Sequence, residues 1–180
     1  MANSSWNETA SPPPDPGRNG ALVCFVGRSG SGKTTLIETL ISSLKGRGYQ
    51  VASINHHGHP GLEVDRAGKD SWRHSQAGAE AVALVAPDRL FLQRRIKGPQ
   101  DPRDVLALLG PVDIVISEGA YAWRRILKIE ILDEGEESLC RPEELVALVA
   151  DAPQASAVLT YRRNDVERLA DFIVRRFLRH

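Results

Sequence analysis

Gly27 is followed, after four residues, by Gly32-Lys33-Thr34 within the stretch Phe25 to Leu40, FVGRSGSGKTTLIETL. Glycine, four residues and then Gly-Lys-Thr is the spacing of a phosphate-binding loop. Glycines let the backbone curl so that successive N–H groups from Gly27 through Arg28, Ser29, Gly30, Ser31 and Gly32 turn inward onto phosphate oxygens. The helix that opens at Lys33 adds the positive end of its dipole. Arg28, Ser29 and Ser31 need supply only backbone. Lys33 would reach the β- and γ-phosphates, the Thr34 hydroxyl would join a Mg²⁺ shell, and Thr35 belongs to the same cradle. The competing explanation is a glycine-rich turn with no ligand. At ordinary glycine usage the full pattern should arise by chance in roughly one chain of this length in a hundred, so nucleotide binding is the expectation.

A magnesium ion so placed needs an acidic neighbour at the tip of an adjacent buried strand. The stretch VDIVISEG supplies Glu118 at the end of an apolar run and just before Gly119, whereas Asp113, at the other end, reads as a turn residue. His56, His57 and His59 suit zinc, nickel or copper in type, but no cysteine lies near them and a Gly/Pro-broken loop fixes no tetrahedral geometry. Phosphate or substrate contact suits His56 better, and a solvated loop suits His57. Lys69 beside Asp70 is open to two readings, a phosphate contact or a surface pair. Asp151 follows an apolar strand, where a carboxylate could accept from guanine, although no Asn-Lys-x-Asp pattern accompanies it.

The elements that must hold these residues are legible as hydrophobic patterns. ALVCFV (Ala21 to Val26) and VDIVIS (Val112 to Ser117) are continuous apolar runs of the kind that parallel sheets bury on both faces. Leu36, Ile37, Leu40, Ile41 and Leu44 form a helical stripe over Lys33 to Lys45, and YQVASIN (Tyr49 to Asn55) completes a strand-helix-strand unit. Further along, the sequence predicts a helix over Ser71 to Gly78, strands at Ala81 to Ala86 and Arg89 to Gln93, and a short capped helix from Asp101 to Gly110. A half-exposed strand is expected at Leu127 to Leu132, a buried one at Leu145 to Ala150, and an amphipathic helix from Asn164 to Leu178. Strands separated by helices imply an α/β fold with a doubly wound, mostly parallel sheet of the P-loop NTPase type, its ligands at the carboxyl ends of the strands.

Composition narrows the function classes. The 23 basic residues balance 23 acidic ones, so there is no overall positive field to attract nucleic acid. No apolar stretch of eighteen residues or signal-peptide pattern occurs, and the two cysteines, Cys24 and Cys140, match neither a disulfide framework nor a CxxC motif. A cytoplasmic protein that binds neither membrane nor nucleic acid is expected, with a disordered, proline-rich tail over residues 1–20 and one nucleotide-binding domain over 21–180.

The stretch INHHGHPGLEVDRAGKDSWRHSQAGAEAV (Ile54 to Val82), with the P-loop before it and DIVISEGAY after it, resembles the MobB family of molybdopterin-guanine dinucleotide biosynthesis adaptors. The block VDRAGKDSWRHSQAGA (Val64 to Ala79) is the most specific part. The resemblance implies a homodimeric GTP-binding protein, a slow Mg²⁺-dependent GTPase at most, that assists a guanylyltransferase of the MobA type in joining GMP to molybdopterin. It also implies that Lys33, Asp65 and Glu118 serve hydrolysis, with Thr34, Asp65 and Glu118 around the metal, and that Gly68 to Ser71, with Lys69, lead into the following helix. Two departures each remove a positive charge: Asn55-His56 stands where the family carries Lys-His, and Ala120-Tyr121 where it carries an aromatic and a lysine. Two other functions remain open at this level. A P-loop small-molecule kinase would need an arginine-bearing lid, for which LQRRIKGPQ (Leu92 to Gln100) is the available stretch, and a nucleotide-dependent metallochaperone would use the three histidines.

Overall fold

The computed structural model describes residues 20–57, 61–62, 64–98, 100–153 and 157–178. The tail expected over residues 1–20 lies outside them except for Gly20, as does His59. The elements, in chain order, are β1 (Ala21–Val26), α1 (Lys33–Gly46), β2 (Val51–Asn55), α2 (Asp70–Gln76), β3 (Ala81–Val85), β4 (Leu90–Arg94), α3 (Pro102–Ala107), β5 (Ile114–Glu118), β6 (Lys128–Ile131), β7 (Leu145–Val149), β8 (Leu159–Tyr161) and α4 (Val166–Ile173). A π-helical turn, Val174–Leu178, follows α4. The interval read as one domain divides into two compact units: residues up to His56 with those from Pro102 onward, and residues His57–Asp101 between them.

The first unit is built on a six-stranded sheet in the order β2-β5-β1-β6-β7-β8, parallel throughout. Strand alternation sends Val23 and Phe25 of β1 to one face and Leu22 and Cys24 to the other. On the first face Val23, Phe25, Ile116, Ile129 and Val149 pack with Leu36, Leu40 and Leu44 of α1 and with Leu169 and Ile173 of α4. On the second, Cys24 packs with Ala120, Trp123 and Val105 of α3. Layers on both faces make the sheet doubly wound, which is why β1 and β5 carry no polar face and read as unbroken apolar runs. In the second unit, α2 lies against an antiparallel hairpin in which Val85 pairs with Leu90 and Ala83 with Leu92.

Three features depart from expectation. β6 is not half-exposed: all four of its residues are buried. The polar members of its alternation find partners inside. The Lys128 ammonium donates to Glu144 at 2.6 Å and to the Trp123 carbonyl at 2.8 Å, and Glu130 accepts from the Leu139 N–H at 2.6 Å and from the Ser138 hydroxyl. Strand β8 has only three residues, too few to show a period, and was not anticipated. The closing helix also stops short at Ile173, where its hydrogen bonding widens into the π turn.

Candidate functional site

β1 ends at Val26 and the chain turns at once into the loop. A Cβ on Gly27 would sit 2.6 Å from the Ile131 carbonyl oxygen of the neighbouring strand and 2.9 Å from Ser31 Oγ, so no larger residue fits. Gly32 opens α1 in the left-handed region (φ 80°, ψ 15°), a conformation that glycine adopts without the strain a Cβ brings. Its carbonyl accepts the first helical hydrogen bond, from the Leu36 N–H at 3.1 Å. The remaining N–H groups of this first turn have no partner within the helix.

The Lys33 ammonium lies across the loop. It donates to the Gly27 carbonyl at 2.9 Å and the Arg28 carbonyl at 2.6 Å, with Ser31 Oγ at 3.5 Å. The ammonium is thus held across the loop by neutral backbone acceptors. The sheet order places β5 beside β1, with Phe25 opposite Glu118. Consequently the Thr34 hydroxyl donates to Glu118 Oε1 at 2.9 Å. A hydroxyl and a carboxylate side by side at a helix N-terminus are the hard oxygen donors that Mg²⁺ takes, so the donor set fits that ion.

Around this centre the remaining predicted residues separate. The Tyr121 hydroxyl accepts from the Gly27 N–H at 2.7 Å and donates to the Gly27 carbonyl. The phenol therefore fixes the hinge of the loop, and burial pushes its pKa up. Arg28 pairs with Glu136 at 3.1 Å. His56 donates its backbone N–H to the Glu118 carbonyl at 3.0 Å, and its ring meets Trp123 edge-on with centroids 4.3 Å apart. Burial lowers the His56 pKa, and its Nε2 has no hydrogen-bond partner among the described residues. A neutral ring packed in this way offers a phosphate no ion pair.

Asp65 and Lys69 belong to the second unit. Asp65 Oδ1 accepts from the Arg66 N–H at 2.7 Å, while Oδ2 is buried and has no partner among the described residues. Both residues line a cavity of about 350 Å³ together with Arg66, Asp70, Ser71 and Leu84. In the stretch considered for a kinase lid, Arg95 is tied to the Ser75 carbonyl at 2.7 Å. No group of three or more His, Cys, Asp or Glu side chains able to hold a metal occurs among the described residues. Burial pushes the thiols of Cys24 and Cys140 up to about 12, which withholds the thiolate that nucleophilic chemistry needs.

Arg163 escaped the sequence reading. Its guanidinium pairs with Asp151 at 2.7 Å and with Asp133, and its backbone N–H donates to Asp151 Oδ1 at 3.1 Å. Both oxygens of Asp151 are thus engaged, and Arg163 holds that carboxyl below its ordinary range. The available signal was an arginine two residues beyond a strand end, but the strand is β8, which the sequence did not reveal.

Comparison with known proteins identifies the family. Residues 22–151 match the family model described as molybdopterin guanine dinucleotide synthesis protein B. The chain is 34% identical over 165 residues to a molybdopterin-guanine dinucleotide biosynthesis adapter protein of Escherichia coli (strain K12), a match spanning 85% of this chain and 91% of that protein. A protein of the same description from Haemophilus influenzae is 34% identical over 158 residues, spanning 84% and 86%. Among solved structures, a crystal structure of molybdopterin-guanine biosynthesis protein B superimposes with a TM-score of 0.65 at 29% identity, covering 86% of this chain and 98% of that one. Bacillus subtilis MobB has the same fold, with a TM-score of 0.70 at 24% identity over 87% and 98% of the two chains. The chain belongs to the molybdopterin guanine dinucleotide synthesis protein B family.

Proposed function

We propose that this chain is a cytoplasmic GTP-binding adapter of molybdenum cofactor biosynthesis, assisting the guanylyltransferase that joins GMP to molybdopterin and hydrolysing GTP slowly. The observation that carries the reading is the Lys33 ammonium lying across the P-loop with the Thr34–Glu118 pair beside it. Full-length relatives named as biosynthesis adapters support it. Lys33 exchanges the carbonyls of Gly27 and Arg28 for phosphate oxygens, a charge-assisted contact stronger than the one it leaves. Thr34 and Glu118 would hold Mg²⁺, which when bound neutralises charge on the β- and γ-phosphates. Asp65 is proposed as a further acidic group for the metal or for the attacking water, and Lys69 as a phosphate contact. Slow turnover suits a switch, because lifetime in the GTP state then sets how long a partner is engaged.

The test is guanylyl transfer to molybdopterin by the partner enzyme, with and without this chain. With GTP present throughout as the guanylyl donor, its pyrophosphate leaving, acceleration of several-fold by the wild-type chain that is lost with Lys33→Ala supports the reading, and an unchanged rate with either chain contradicts it. We also propose a homodimer. In the second unit Val85 and Leu90, directly paired across the hairpin, are 74% and 68% exposed, with Leu92 beside them at 46%, an apolar face that a second copy would cover. Light scattering should give twice the monomer mass for the wild type and the monomer mass for Leu90→Asp. A monomeric wild type would rule out the dimer.

A further inference from the structure

Beside the phosphate cradle, in the same unit, is a cavity of about 270 Å³ lined by Gly32, Thr35, Leu36, Thr39, Arg163 and Val166. It shares Gly32 and Thr35 with the loop, so it is continuous with the place where phosphates would sit. A nucleotide is one molecule, and its base must lie within a ribose's reach of its phosphates. The cavity is close to the lower end of small-ligand sites in size, and Leu36 and Val166 give it an apolar wall.

The remaining wall is the Arg163 guanidinium. Its edges are occupied: one nitrogen donates to Asp151 at 2.7 Å, and the other to Asp133 and to the Leu132 carbonyl at 3.4 Å. N–H hydrogen bonds lie in the plane of the group and do not use its flat faces, and Arg163 lines the cavity. An added Cβ on Gly32 would come within 3.9 Å of Nε, so the group reaches the last glycine of the P-loop. A planar cation fixed at its edges by carboxylates is the partner on which an aromatic ring stacks. The same pairing engages one hydrogen bond on each Asp151 oxygen and fixes the carboxylate beside the guanidinium.

We infer that this cavity is a subsite for the planar heteroaromatic base of the nucleotide, held through its face by stacking on Arg163. The inference rests on the P-loop reading above, and inorganic triphosphate, which has no base, separates the two. Calorimetric titration of Arg163→Lys, which keeps a cation between Asp133 and Asp151 but loses the planar group, should show GTP bound about fivefold more weakly than by wild type, with triphosphate unchanged. As a second readout, Thr39→Trp places an indole in the cavity from an exposed helical position. Its emission, taken against wild type, should respond to GTP and not to triphosphate. GTP affinity untouched by Arg163→Lys, equal loss of GTP and triphosphate, or an indole blind to GTP would each overturn the stacking. A wild type that binds neither ligand would overturn the P-loop reading, and the subsite with it.

Discussion

Lys33→Ala weakens binding of Mg²⁺-GTP by roughly 1.5–3 kcal/mol, the worth of hydrogen bonds to a charged group, or about one to two orders of magnitude in affinity. The expectation follows from where the ammonium lies. In the free protein its acceptors are two loop carbonyls, at 2.9 Å from Gly27 and 2.6 Å from Arg28, and a distant Ser31 hydroxyl. Those are neutral acceptors, and phosphate oxygens are charged, so the exchange favours the ligand. Removing the side chain leaves carbonyls near the surface that water can satisfy, so the fold should be spared. The measurement is a calorimetric titration paired with a thermal melt. Equal GTP affinity in the two proteins, with equal melting temperatures, would contradict the assignment.

Glu144→Gln lowers the unfolding free energy by about 3–5 kcal/mol, the range found when one partner of a buried ion pair is removed. Lys128 and Glu144 are 2% and 4% exposed, and they meet at 2.6 Å. Loss of the negative charge leaves a buried ammonium uncompensated, with only neutral acceptors such as the Trp123 carbonyl. Glu144 also accepts from the Arg125 N–H at 2.9 Å, a contact that helps hold Arg125 at φ 60°, in the left-handed region. Urea unfolding measures the loss, and Lys128→Met combined with Glu144→Leu should recover most of it, since an apolar pair of similar volume leaves no buried charge.

The same pair sets a pH dependence. The Lys128 ammonium, then the Arg125 N–H, hold the Glu144 carboxyl below its ordinary value of 4.5. A carboxyl whose folded pKa is depressed stabilises the fold fully above its unfolded pKa, and that contribution fades as pH falls through the folded value. Wild-type stability should therefore drop on acidification below about pH 4.5, and Glu144→Gln should show a shallower decline. Parallel declines would place the acid sensitivity elsewhere.

What the sequence disclosed, and what it withheld, follows from how local each cause is. β1 and β5 are visible because both of their faces are buried, and the P-loop because its glycines answer a demand made within eight residues. The alternation of Lys128 and Glu130 looked like a solvated face, since nothing in six residues announces that Glu144 and Ser138 will meet those groups. Adjacency of Thr34 and Glu118 depends on β5 lying next to β1, and the Arg163 staple depends on β6, β7 and β8 ending side by side. Order within a sheet is set by long-range packing, which no short window carries. Tyr121 could be seen as a departure from the family pattern, but its grip on Gly27 could not.

The most direct test of the central claim is a crystal structure grown with Mg²⁺ and a non-hydrolysable GTP analogue. The expected result is a triphosphate inside the loop, Lys33 Nζ moved from the Gly27 and Arg28 carbonyls onto its oxygens, and Thr34 turned from Glu118 to the metal. An empty loop at saturating nucleotide, with Lys33 still on those carbonyls, would contradict the account.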